Sequence, residues 1–397
     1  MKKIKMLGIV AASALATQFV LFAAESNSPG ILDIQNRIRF EYDDNIYETD
    51  TDKTDSFKII EELELGITLD FQPTFITLRY RPSFSWWNDR EPDDTDLHHD
   101  VDFVLNHEFS PRLSFGLKNV FRIAQQPEEI DRGTVVHEED DYTYNVTDAN
   151  IDYQVAQRTH AVLGGRYTLL RYDNDDVSST EDYDIWAGGL TVRQSLSEFA
   201  ELLADIRAES VGYTDLESRD SDSLYAGLGY EQMLGASFVG TIRGGVQQKE
   251  YNDDAIDDDT QPYVDGNVTY IFSPKTRFSL GAGYSMFEAD VYPFANQDRT
   301  IAYASVAHDL TARISFFLTG SYQLSEYNSD DIISEGADEV PEDYGGDETV
   351  TQLGLRIAYQ VNARNSIELN YQHMDLSSDV RDDFDRNRAS VGWRLDI

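Results

Sequence analysis

The chain has 397 residues, no cysteine, and 32 basic against 73 acidic residues, a formal net charge of −41. That charge argues against nucleic acid as a partner, and the lack of cysteine excludes a disulfide-stapled scaffold or a cysteine-linked lipid anchor. With 23 tyrosines and 20 phenylalanines, the chain is too aromatic for an acidic disordered protein.

The chain opens Met1-Lys2-Lys3-Ile4-Lys5 and then runs without charge from Met6 to Ala24. A basic head, an apolar stretch and small residues before Glu25 predict a cleaved secretory signal over 1–24. The cut follows Ala24, or Ala16, where Ala14-Leu15-Ala16 has the small-x-small form. A retained membrane helix is the alternative, since the run is long enough to span. No later stretch of 18 or more apolar residues occurs, so residues 25–397 hold no transmembrane helix.

From residue 25 onward the sequence is an array of hairpins. Eight short turns follow one another: Phe71-Gln72-Pro73-Thr74, Phe109-Ser110-Pro111-Arg112, Val155-Ala156-Gln157-Arg158 and Leu196-Ser197-Glu198-Phe199, then Leu234-Gly235-Ala236-Ser237, Phe272-Ser273-Pro274-Lys275, Leu310-Thr311-Ala312-Arg313 and Val361-Asn362-Ala363-Arg364. Their first residues are 38, 46, 41, 38, 38, 38 and 51 apart, a period that marks one repeated supersecondary unit. Between turns the side chains alternate. Leu63, Leu65, Ile67, Leu69 and Phe71 interleave with Glu62, Glu64, Gly66, Thr68 and Asp70, and Val391, Trp393, Leu395 and Ile397 with Ser390, Gly392, Arg394 and Asp396. Period two is that of a strand with one apolar face. Ser197 to Ser210 also fits a helix face through Phe199, Leu202, Leu203 and Ile206. A helix there would leave neighbouring ladder groups unpaired in lipid, so a strand is expected.

The other end of each hairpin is a long acidic loop, as at Asn88–Thr95, Gln125–Asp140, Asn252–Asp259 and Asn328–Asp347. Short turns at one end and long loops at the other are the polarity of an outer-membrane barrel. The expected fold is all-β: a single transmembrane antiparallel up-and-down β-barrel over 25–397 of about 18 strands, 16 being possible. Its short turns and both termini are periplasmic and its acidic loops extracellular. Aromatics near strand ends (Trp86, Trp87, Trp186, Phe272, Phe316, Tyr322 and Trp393) are expected to form girdles at the two bilayer interfaces.

The first hairpin reads Glu41-Tyr42-Asp43-Asp44-Asn45-Ile46-Tyr47, then Asp55-Ser56-Phe57 and a strand ending at Phe71. This resembles the opening of the putative β-barrel porin 2 family of bacterial outer-membrane proteins, and the pattern extends over nearly the whole chain after the signal. The resemblance implies a signal peptide, a large barrel and association with envelope or exopolysaccharide functions. The final residue departs from the usual aromatic ending: Ile397 stands there, although Trp393 and Leu395 keep the alternation.

Alternation places charges of both signs on the lumen face: Arg37, Arg39, Arg79, Arg81, Lys118, Arg122, Arg166, Arg193, Arg207, Arg243 and Arg356, with Glu62, Glu64, Asp102, Asp148, Asp152, Glu201, Asp205, Asp265 and Glu368. Opposed charges of this kind set selectivity in a water-filled channel; a plugged lumen held by the same pairs is the other reading. The loops repeat an aromatic followed by acids, as in Tyr42-Asp43-Asp44 and Tyr251-Asn252-Asp253-Asp254. These acids make Asp43, Asp44, Asp253 and Asp254 weak candidates for divalent ions that would tie the loops to surface lipopolysaccharide, although none has the spacing of a helical-hand calcium loop. His98-His99-Asp100 could form an acid–base pair at a rim, but no Gly-x-Ser-x-Gly or His-Glu-x-x-His motif is present, so no enzyme is expected.

The sequence thus leads to a porin-like channel of the bacterial outer membrane, passing small hydrophilic solutes by diffusion, with a weak preference for cations and no cofactor. Its partners would be the bilayer, lipopolysaccharide, and the assembly machinery through the C-terminal strand; the solute and the oligomeric state stay open. The alternative is a barrel component of exopolysaccharide secretion or surface attachment without an open pore.

Overall fold

The computed structural model describes residues 32–91, 93–125, 140–234, 237–253, 256–328, 332–333 and 344–397. The expected signal segment and most of the loop at Gln125–Asp140 lie outside them.

Eighteen strands form one sheet among the described residues. They are β1 (Leu32–Asp43), β2 (Ser56–Phe71), β3 (Thr74–Trp87), β4 (Thr95–Ser110), β5 (Leu113–Ala124) and β6 (Tyr142–Ala156). Next come β7 (Thr159–Tyr172), β8 (Tyr183–Ser197), β9 (Ala200–Tyr213), β10 (Ser221–Leu234), β11 (Phe238–Tyr251) and β12 (Asp259–Ser273). The last are β13 (Thr276–Glu288), β14 (Asn296–Asp309), β15 (Ile314–Tyr327), β16 (Gly346–Asn362), β17 (Asn365–Ser378) and β18 (Phe384–Asp396). Each pairs antiparallel with the next, and β1 pairs with β18, Gln35 opposite Asp396. The sheet therefore closes and has no edge, as a barrel in lipid requires. The segment that also fitted a helix face is strand β9.

The repeated turn sequence has a structural cause. At five of the eight turns the ladder register shifts on the strand that enters the turn, between Glu108 and Ser110, Gln154 and Ala156, Ser195 and Ser197, Ile271 and Ser273, and Gln360 and Asn362. The residues passed over are Phe109, Val155, Leu196, Phe272 and Val361, the apolar residue that opens each turn motif. A bulge leaves one residue unpaired and bends the strand, and here that residue stands exposed. Consecutive turns are also tied together. Glu108 N–H donates to Pro73 O (3.0 Å), Gln154 to Arg112 (2.8 Å) and Ser195 to Arg158 (2.8 Å), and the series continues to Asp396 on Arg364 (2.8 Å).

The nine connections at the opposite end run from five to eighteen residues. One carries a short helix, α1 (Asp175–Glu181), capped by the Asn174 side chain, and another a 3-10 turn at Glu217–Arg219. Exposed large apolar side chains cover the outer wall, Leu190, Ile206, Leu228, Ile242, Leu280 and Leu369 among them.

One expected girdle residue is corrected. Trp86 is exposed, but its neighbour Trp87 is wholly buried. Adjacent strand residues point to opposite faces, so the two could not share a girdle. Trp87 turns inward, donating from Nε1 to Asp96 (2.8 Å), with Lys58 Nζ 4.2 Å from its ring centre.

Candidate functional site

The charged face of each strand is the concave one. Arg193 on β8 reaches Glu231 on β10 (3.7 Å), Arg37 on β1 reaches Glu368 on β17 (3.4 Å), and Tyr263 on β12 donates to Asp205 on β9 (3.3 Å). Side chains that skip an intervening strand meet only on the inside of a curved sheet.

On this inner wall nearly every arginine named from the sequence has a cross-strand carboxylate. Arg37 meets Glu62 at 2.8 Å, Arg39 meets Glu62 at 3.8 Å, and Arg79 meets Glu64 at 3.9 Å. Arg81 meets Asp102 at 2.8 Å, Arg122 meets Asp100 at 3.4 Å, and Arg166 meets Asp148 at 3.5 Å. Arg193 meets Glu201 at 2.8 Å and Arg243 meets Asp265 at 3.5 Å. Register explains the pairing, since Arg37 lies directly opposite Glu62, Arg166 opposite Asp148 and Arg243 opposite Asp265. Two named cations differ: Arg207 lies over the Tyr225 ring at 3.8 Å, and Lys118 is exposed. Asp152 takes His160 at 2.8 Å.

Glu368 is the densest node. It accepts from Arg356 at 2.6 Å, with Arg37 at 3.4 Å and Arg394 at 3.5 Å. Arg394, Lys249 and Arg299 carry the same alternating signal as the named residues and share this wall. All three are buried.

The loops fold over the mouth. Arg219, 1 % exposed, joins three of them: it donates to Thr180 O (2.6 Å) and Ala289 O (2.8 Å), pairs with Glu181 (3.3 Å), and lies 4.2 Å from the Tyr213 ring centre. In the β13–β14 connection, Asp290 receives Gln297 (2.8 Å) and Arg299 (3.2 Å), and Phe294 packs on Tyr327 and Tyr344. Beneath lies a cavity of about 410 Å³, lined by tyrosines 144, 172, 183, 213, 225 and 292. Five carboxylates (Asp176, Glu181, Glu209, Glu288, Asp290) and three cations (Arg166, Lys249, Arg381) border it. No sequence signal placed these loops, because their docking depends on which strand ends the closed barrel brings together.

Backbone N–H groups load the loop-base acids. Asp182 accepts from Tyr172 N (2.8 Å) and Asp220 from Tyr213 N (2.7 Å). Burial is the largest influence on both and pushes their pKa up, outweighing these bonds, which favour the charged form.

The candidate ion ligands have other work. Asp43 is wholly buried and accepts from Arg386 Nε at 3.0 Å, and Asp44 accepts from Asn387 N (2.6 Å) and Nδ2 (2.8 Å). These bonds clasp the first loop to β18. Asp253 O accepts from Ile256 N (3.1 Å), and Asp254 lies outside the described residues. His98 and His99 point to opposite faces: His98 lies 3.9 Å from Asp96 inside, while His99 Nδ1 is 2.8 Å from Tyr80 Oη outside. They do not form an acid–base pair.

A family model described as putative beta-barrel porin 2 matches residues 33–397. Among solved structures, Acinetobacter baumannii OccAB4 is similar at 12% identity and a TM-score of 0.48, over 93% of this chain and 99% of that one. Pseudomonas aeruginosa OccK5 (OpdH) is similar at 14% identity and a TM-score of 0.48, over 92% and 98%. No curated protein sequence gives a significant match.

Proposed function

This chain belongs to the putative beta-barrel porin 2 family, and we propose that it is an outer-membrane channel for passive diffusion of small hydrophilic solutes. The short turns then face the periplasm and the long loops the exterior. The observation that carries the reading is the inner wall, where a closed eighteen-strand barrel is lined by paired arginines and carboxylates. A barrel of this size is wide enough for water.

Selectivity follows from the imbalance at the mouth. Wall arginines are offset by carboxylates, whereas acids outnumber cations five to three around the mouth cavity. A mouth of one sign raises the local concentration of the opposite ion, so the channel prefers cations weakly at low salt. Planar-bilayer recording tests both parts: stepwise conductance with a cation-selective reversal potential is expected, and a clear anion preference refutes the selectivity.

One observation favours a second reading, a barrel serving exopolysaccharide secretion or surface attachment without an open pore. The loops joined by Arg219 and Phe294 cover part of the mouth. Silence from a correctly folded barrel in the same recording would select it.

A further inference from the structure

The outer wall is not uniform. Along β9 the mid-strand outward residues are Leu202, Ala204, Ile206 and Ala208, and along β10 Leu224, Ala226 and Leu228, as a hydrocarbon belt demands. The sector from β1 to β6 interrupts this pattern.

Three polar groups stand there. On β1 and β2, Asn36 Nδ2 donates to Glu61 Oε1 (3.3 Å), and Glu61 is exposed. On β3 and β4, Tyr80 pairs with His99. On β5 and β6, Asn119 Nδ2 donates to Thr147 Oγ1 (2.7 Å) and to Asn145 Oδ1 (3.3 Å). They lie within the belt rather than at its rim, because the next outward residues along each strand are mostly apolar. Glu61 lies between Ile59 and Leu63, His99 between Leu97 and Val101, and Asn119 between Leu117 and Phe121.

A carboxylate and a run of amides facing lipid are costly; against protein their remaining donors and acceptors find partners. We infer that the β1–β6 wall is an interface, and that its occupant is a second copy of this chain. The patch is self-complementary: Glu61 only accepts, while the amides and the second nitrogen of His99 can donate, as a surface meeting its own copy needs. Six strands about 4.8 Å apart and a belt about 25 Å tall give a patch of about 700 Å². Its convexity limits the contact to the central strands, so the interface is smaller than the roughly 800 Å² per partner of a standard one and depends on its polar pairs. The inference rests on the barrel being embedded in a membrane and on nothing about its conductance.

The chain has no cysteine, so single-cysteine variants report contacts directly. Val101→Cys at the centre of the polar sector and Ile206→Cys on the apolar one would be oxidised in native membranes and resolved without reductant. Covalent dimer from Val101→Cys alone is expected, since only residues on the two-fold axis meet their own copy, together with an oligomeric mass for the wild type by light scattering in mild detergent. Glu61→Leu with Asn145→Leu, neutral or stabilising if lipid covers the site, should instead shift that mass to monomer. A monomeric wild type, or equal cross-linking at both positions, overturns the inference. Heat-modifiable migration of each variant shows that the barrel has formed, and bilayer conductance is scored separately, so loss of the channel reading would not be mistaken for loss of the interface.

Discussion

At the scale of single residues, the partners within reach decide what an inward-facing charge does. Glu368 and Asp70 are both strand acids, yet Glu368 is 3 % exposed beside three guanidinium groups while Asp70 is exposed beside a turn. Removing a buried partner leaves the remaining charges uncompensated, which costs about 3–5 kcal/mol. Glu368→Gln should therefore lower barrel stability by about 3 kcal/mol, read as an earlier urea midpoint in lipid vesicles. A change no larger than that of Asp70→Asn would contradict the role given to Glu368.

At the scale of elements, the loops are held by a few buried contacts. Arg219→Ala removes the donors to Thr180 and Ala289, each charge-assisted bond being worth about 1.5–3 kcal/mol. The β13–β14 connection should come free and single-channel conductance should rise; an unchanged conductance would show that this loop does not narrow the path. The loop-base acids Asp182 and Asp220 supply a pH effect. Burial raises their pKa in the folded chain, so the folded state holds its protons to higher pH than the unfolded one. Their contribution is thus greatest below the usual carboxylate range and is lost as pH rises through the raised folded values. Amide protection at Tyr172 and Tyr213, corrected for intrinsic exchange, should fall from mildly acidic to neutral pH. Protection that rises instead would reverse the sign of both shifts.

At the scale of the whole molecule, the larger part of the net charge of −41 lies outside the strands, which hold 19 basic and 32 acidic residues. Exposed charges are screened over about 10 Å at 0.1 M salt and about 3 Å at 1 M. The reversal potential should accordingly report cation preference at low salt and approach neutrality near 1 M. A preference that persists undiminished would place the selective charges in the paired wall and not at the mouth.

The sequence by itself determined the strand direction, the hairpin period and which residues share a face, because period two and the turn chemistry are local. Arg37, Glu62, Arg243, Asp265 and Arg394 can be assigned to one wall from alternation alone. Trp87 shows the rule overriding a resemblance of residue type, since a tryptophan beside Trp86 had to face the other way. What only the tertiary structure decided are partnerships across closure: Asp43 with Arg386, Glu368 with Arg37, and Arg219 with the carbonyl of Ala289. These pairs are hundreds or tens of residues apart in the chain, and no local pattern encodes them. They exist because the last strand returns to the first and curvature turns the charged faces toward one another.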